Sequence, residues 1–343
     1  MVVIIFKRKE LMKMHMADAL VSPAVGSVFW AAGAYLTLKS SAALKKSDDR
    51  GMTALMGVLA AFVFASQMIN FSIPGTGSSG HIGGGLLLAI LLGPERAFLS
   101  MVSILAVQAL FFADGGLLAL GCNIFNMGFF PCFIAYPFIY KKISDRLEGT
   151  KGIFWGAVIA SIASLLMGAF FVVVQTVFSG ITSLPADIFL LLMLPIHFAI
   201  GAVEGFATAM VIIYVYSKMP EVLSLSKDKP GSGDMKRAVV FFTLLAVVTG
   251  GLFAWYASSS PDGLEWSIER VAGTAELESP QSFLHSLSSF IQDSFAPLPD
   301  YSFRSETPSE NMGTTVSGLV GSIITMTLAL ALGMFFRKRK GRQ

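Results

Sequence analysis

Apolar residues fill this chain in long blocks separated by short polar breaks. The blocks at 23–40, 52–72, 97–113, 118–140, 152–179, 189–217, 237–257 and 314–336 are each close to the roughly 20 residues with which a helix crosses a bilayer core of about 30 Å. A ninth block, 82–93, ends at Gly93-Pro94-Glu95-Arg96 and is too short to span unaided. The Gly/Ser loop before it, Gly75-Thr76-Gly77-Ser78-Ser79-Gly80-His81, is expected to dip among the helices and start this segment deep in the membrane, an arrangement tolerated where protein buries the loop. The pattern predicts an all-α polytopic membrane protein, a seven-helix body followed by two C-terminal transmembrane helices.

Basic residues give the orientation. Lys45, Lys46 and Arg50, then Lys141, Lys142, Arg146 and Lys151, then Lys218, Lys227, Lys229, Lys236 and Arg237, and finally the tail Arg337–Lys340 mark cytoplasmic segments. The loops at 73–81, 114–117 and 180–188 carry no Lys or Arg, and 258–313 sets nine acidic residues against Arg270 and Arg304, so these are expected outside. Parity holds if 82–93 counts as a crossing, which gives nine crossings with the amino end outside and the carboxyl end inside. The expected domains are an extension at 1–13, a seven-helix membrane domain at 14–217, a polar cytoplasmic linker at 218–236 and a two-helix domain at 237–343 with the outside segment 258–313. No internal repeat is evident, which disfavours an inverted-repeat secondary transporter.

Composition narrows the function. With 54% hydrophobic and 14% charged residues, a soluble domain is excluded. Cys122 and Cys132 lie inside an apolar block and read as small hydrophobes. No G-x-x-x-x-G-K-[ST] run occurs, so an ATP-driven process would need another chain. The segment GTGSSG at 75–80 matches G-x-G-x-x-G, but no βαβ unit surrounds it.

The chemistry rests on two of the four histidines. In Met14-His15 a free terminal amine and the His15 amide nitrogen close a five-membered chelate ring. The amide and the nearer imidazole nitrogen close a six-membered one. His81, on the same side of the membrane, is available as the fourth nitrogen. Such tetragonal nitrogen sites suit Ni(II) or Cu(II), and less strictly Co(II), and lose affinity in acid because the donors must shed protons. This site requires that Met14 be the first residue of the mature chain, through translation from Met14 or removal of residues 1–13. Asp18, Gln108, Asn123, Asn126, His197 and Glu204 are candidates for supporting roles. Asn123 and Asn126 share a helix face, as do His197 and Glu204, and an ionisable pair inside a membrane is a functional hypothesis by default. His197 is expected to hold the amino-terminal loop, and Asp114 to make an outside turn.

The stretches MHMADALVSP, SGHIGGGLLLAILLGP, VQALFFADGGLLALGCNIFNMG and HFAIGAVEGFAT resemble the cobalt/nickel substrate-capture components of energy-coupling factor transporters, the CbiM/NikM family. Ser260-Pro261-Asp262-Gly263-Leu264-Glu265 and Ala296-Pro297-Leu298-Pro299-Asp300-Tyr301 resemble the small N-type (PDGLE) auxiliary component of the same systems, here fused. The resemblance implies an ion-uptake subunit of a bacterial or archaeal cell membrane. In it Ni(2+) or Co(2+) is held by residues matching Met14, His15 and His81, with no cofactor and no nucleic acid. Its implied partners are membrane lipid, a transmembrane coupling component and cytoplasmic ATP-binding components. The alternatives are an autonomous divalent-cation channel or secondary transporter, for which a file of carboxylates is missing, and an intramembrane metalloenzyme, for which H-E-x-x-H or paired intramembrane histidines are missing.

Overall fold

The computed structural model describes residues 15–45, 50–223, 232–275, 277–304 and 310–336. It is all-α apart from one small hairpin. The long helices are α1 (Pro23–Leu44), α2 (Arg50–Gln67), α4 (Pro94–Phe111), α5 (Leu120–Arg146), α6 (Gly149–Ser179), α7 (Ala186–Lys218), α8 (Ser232–Gly251) and α11 (Glu310–Phe336). Strands β1 (Phe71–Ile73) and β2 (Ser78–Gly80) precede the eight-residue α3 (Gly85–Leu92). Two shorter helices, α9 (Gly263–Ala272) and α10 (Phe283–Phe295), lie between α8 and α11. Five of the helices, α4, α5, α6, α7 and residues 311–336 of α11, are long and apolar enough to cross a membrane.

Small residues set the helix spacing. Gly201 and Gly205 of α7 face the Ile162 and Val158 backbones of α6 with no room for a side chain, and Gly250 of α8 meets Gly318 of α11 in the same way. Close backbone approach is what substitutes for a hydrophobic driving force between helices in lipid. Helix α2 is the centre, buried along nearly its whole length and packed by α4, α8 and α11. The C-terminal pair therefore builds the same body as the helices before it, although the linker residues 224–231 fall outside the described residues.

Three elements differ from the hydropathy pattern for local reasons. The block at 52–72 is helical only to Gln67, because its last residues pair as β1 with β2 across the Pro74-Gly75 turn. The block at 237–257 is helical to Gly251 and then tightens into a 3₁₀ turn, Phe253–Tyr256. The 118–140 block widens to i→i+5 hydrogen bonding over Phe125–Tyr140, where Pro131 and Pro137 sit inside the helix. Proline removes one donor and clashes with the carbonyl four residues back, and a wider turn relieves the clash.

The short α3 does begin inside the body. Glu204 lies 18 residues into the 33-residue α7, about 27 Å from its start at 1.5 Å per residue. Its carboxylate accepts the backbone N–H of Gly83 at 2.8 Å and of Gly84 at 3.2 Å. Gln67 donates to the Gly83 carbonyl at 2.8 Å and accepts from Gln108 at 2.8 Å. Gly84 has φ +75° and stands against Val63, so this turn needs the one residue without a side chain. Replacing it, Gly84→Ala, is expected to lower thermal stability in detergent by at least about 1–2 kcal/mol, the cost of a left-handed non-glycine residue. An unchanged unfolding midpoint would remove this turn from the elements on which the fold depends.

Candidate metal centre

The amino-terminal strand is threaded into the body. His15, Met16, Asp18, Leu20 and Val21 are all buried. Asn123 clamps residue 16 from both sides, accepting the Met16 N–H and donating to its carbonyl, each at 3.1 Å, and Gly116 N–H donates to the same carbonyl at 3.0 Å. Asp18 accepts from Ala119 N–H at 2.9 Å and from the Ser288 hydroxyl. Beside this strand the β1–β2 hairpin delivers His81, and the His15 and His81 ring centroids are 5.5 Å apart. Nitrogen ligands sit about 2 Å from a first-row metal, so one ion can bridge two rings at this spacing. Met14 lies outside the described residues, and its amine has no position here.

Both imidazoles have a carboxylate behind them. His81 Nδ1 is 3.4 Å from Asp262 Oδ1, and a carboxylate only accepts, so Nδ1 carries the proton and Nε2 is left as the ligand atom. His15 Nδ1 is 3.0 Å from Asp114 Oδ2, and Nε2 of the same ring has no hydrogen-bond partner. An imidazole 1% exposed in its side chain with that nitrogen unsatisfied is costly, on the order of 1–3 kcal/mol for a buried polar group left unpaired. The chelate deduced from the sequence uses Nδ1 of His15. In this structure that nitrogen faces Asp114, so closing the chelate requires the ring to turn.

The two carboxylates come from segments with no assigned site role in the sequence. The C-terminal chain at 258–262 zips onto the hairpin. Ser258 N–H donates to Asn70 O at 2.7 Å and Ser79 N–H to Pro261 O at 2.8 Å, while Ser79 Oγ–H donates to Ser260 O at 2.7 Å and Trp266 Nε1 to Thr76 O at 3.1 Å. That zipper places Asp262 at His81. Asp114 stands in the expected turn, beside Gly115 at φ +81°, but its side chain is buried and also accepts the Tyr301 hydroxyl at 2.6 Å. His285, the fourth histidine, locks the strand before α1: Nε2 donates to the carbonyls of Asp18 at 3.2 Å and Val21 at 3.1 Å, while Nδ1 accepts from Ser282 at 2.6 Å.

Of the other candidates, Gln108 and Glu204 brace the His81 loop, and Asn123 and Asp18 brace the His15 strand. Asn126 exchanges two hydrogen bonds with Gln175, at 2.8 and 3.0 Å. His197 does not hold the amino-terminal strand, because its Nδ1 bonds the Met193 carbonyl of its own helix at 2.8 Å. It does line the same cavity of about 100 Å³ as His15, His81, Glu204 and Asp262. Cys122 and Cys132 are buried free thiols. Among the described residues no group of three or more His, Cys, Asp or Glu side chains is placed to hold a metal ion.

The chain was compared with known proteins. Residues 15–222 match the family model for CbiM, the cobalt uptake substrate-specific transmembrane region, and residues 236–338 match the PDGLE domain. The chain belongs to the CbiM family. A fused NikMN protein of Archaeoglobus fulgidus is 31% identical over 94% of this chain and 99% of its own length. The fused nickel transport protein NikMN of Rhodobacter capsulatus is 27% identical over 94% of this chain and 98% of its own. A crystal structure of a truncated transition metal transporter, 31% identical, covers 60% of this chain and 99% of its own with a TM-score of 0.52. As a CbiM-family chain fused to a PDGLE domain, the protein is a membrane component of metal uptake, acting in nickel or cobalt transport.

Burial disfavours the charged form of His81, but the Asp262 carboxylate, with Asp114 and Glu204 farther off, outweighs it and raises the imidazole pKa above its ordinary value. Burial likewise pushes the Asp114 carboxyl up, but His15, then Tyr301 and His81, reverse this and hold it below the usual carboxylate range. A raised histidine pKa means the proton is held to higher pH and lost as pH rises through it. In metal-free protein, Asp262→Asn is expected to move the His81 titration midpoint to lower pH, read by NMR of histidine-labelled protein. An unmoved midpoint would separate Asp262 from His81.

Proposed function

We propose that this chain is the substrate-capture subunit of an ATP-driven, energy-coupling-factor-type uptake system for Ni(II) or Co(II). The ion is taken from outside by the Met14 amine, the His15 amide and imidazole, and His81. The observation that carries the reading is His15 itself, a buried imidazole whose Nε2 has no hydrogen-bond partner, set 5.5 Å from a second imidazole. Bound metal would satisfy it, and the ring would turn away from Asp114 as the chelate closes. Asp262 holds the His81 tautomer that presents Nε2.

The remaining parts of the reading follow the family. The site end of the body faces outside and the carboxyl end lies in the cytoplasm. Residues 14–217 act as the capture domain and 237–343 as the fused auxiliary domain. A transmembrane coupling protein and cytoplasmic ATPases drive transport. The relatives' names include both nickel and cobalt, and nitrogen donors in a tetragonal set accept either ion.

Titration of the purified protein with Ni(II) and Co(II) by calorimetry is expected to give one ion per chain. Binding should be abolished in His15→Ala and His81→Ala and weakened about 10–100-fold in Asp262→Ala, as for partners that orient a metal-bound histidine. Intact mass is expected to show a mature chain beginning at Met14. Tight binding in both histidine variants, or in a chain that retains residues 1–13 with a blocked amine, would sink the site assignment.

A further inference from the structure

Helix α10 carries its residues on three faces, and only two of them have an explanation in the fold. At 100° per residue, His285, Ser288 and Gln292 share one face, and it is this polar face that packs on the body. Ser286, Ser289 and Asp293 share a second face and are exposed, as polar residues in water should be. The third face holds Phe283, Leu284, Leu287, Phe290, Ile291 and Phe295, interrupted only by Ser294 near its end. Its aromatic members are largely exposed: Phe283 78%, Phe290 68% and Phe295 69%. A helix in water buries its apolar stripe and exposes its polar one. Here the polar stripe is inward and an apolar arc of about 140° is outward, while a separate exposed face is polar.

The attachments of α10 fix where that apolar face lies. His285 bonds the Val21 carbonyl, two residues before α1 starts at Pro23. Seven residues later, Gln292 donates to Ala109 O at 3.0 Å and Gly115 O at 2.8 Å, in the last turn of α4 and the loop beyond it. Leu298 and Asp300 continue along the same edge, donating to Phe111 O at 3.3 Å and Phe112 O at 2.8 Å. Both ends of the helix are thus pinned where α1 and α4 leave the membrane on the site face, so its axis runs along that surface. On α1 itself, Val28 and Trp30 are also exposed apolar side chains. No lysine or arginine lies within α10, and its one charged residue, Asp293, is on the water face.

We propose that α10 is an interfacial helix, its Phe283–Leu287–Phe290 face immersed in the acyl region of the leaflet on the site face. Amphipathic helices that lie in the plane of a bilayer divide their surface in this way, with aromatic and leucine residues toward lipid. The consequence is specific to this chain. The polar face of the same helix holds Asp18 and the strand that carries His15, so the lipid surface anchors the clamp over the amino-terminal strand. The inference does not depend on which metal the site takes.

The test uses the full chain in phosphatidylcholine/phosphatidylglycerol vesicles. Leu287→Cys, Phe290→Cys, Ser289→Cys and Asp293→Cys are each labelled with a bimane probe, with wild type, whose two cysteines are buried, as background. Probes at 287 and 290 are expected to emit at shorter wavelength, to be quenched by 5-doxyl-phosphatidylcholine and to resist iodide at least several-fold better than probes at 289 and 293. A variant that does not elute as wild type is replaced by Phe283→Cys or Leu284→Cys on the same face. Equal iodide quenching at all four positions would place the helix in water. Protection of 287 and 290 from both quenchers would mean that protein, such as a second copy, covers the face. Either result overturns the proposal.

Discussion

The carboxylate of Glu204, held inside the helix bundle, is what permits a loop to stand where a membrane would otherwise demand a helix. Backbone N–H and C=O groups at that depth have no water to bond, and each one left bare costs free energy. Glu204 accepts the two N–H groups of Gly83 and Gly84, while Gln67 covers the Gly83 carbonyl. Gly84 supplies the left-handed turn, and Gly85 lets the chain pass Pro131 and the Met127 carbonyl. With those groups satisfied, the chain can reverse inside the body, start α3 there and leave His81 beside His15. Without them, the two imidazoles would have no common cavity.

The rest of the site is built by closure from above. The C-terminal segment contributes Asp262 behind His81, Tyr301 behind Asp114, and His285 and Ser288 on the strand that carries His15. These contacts span 180 residues and more, and they add hydrogen bonds to an apolar interface in which Leu264 and Ile268 pack with Met16, Leu20 and Val21. The PDGLE segment thereby packs directly against His81 and the strand that carries His15. The imidazoles, carboxylates and phenol form two short chains, Asp262–His81 and Tyr301–Asp114–His15. The second ends in a ring whose Nε2 has no hydrogen-bond partner.

Much of the fold was legible because membrane helices are written in long apolar blocks. The block boundaries failed where local chemistry overrode hydropathy: at Asn70 and Pro74, which end α2 in a hairpin, and at Pro131 and Pro137, which widen α5. The site was legible in its two histidines, since few are present and each sits in a polar break. Asp114 and Asp262 were not, because a lone aspartate followed by glycine reads as a turn former. Asp114 does form the turn, and only its packing turns the carboxylate inward. His197 misled in the other direction. Its spacing from Glu204 suggested a shared task, but its ring bonds its own helix while Glu204 braces the His81 loop.

By itself the sequence determined that the chain lives in a membrane, which two histidines are candidates for its chemistry, and which family its motifs resemble. Each of these follows from composition or short-range pattern, which hydropathy and ligand type express directly. Tertiary structure decided which carboxylate backs which histidine, that the PDGLE segment joins the site, and that α10 turns its polar face inward. Those outcomes depend on which groups find hydrogen-bond partners across the fold. A hydrogen bond between residues 81 and 262 leaves no periodicity in the chain.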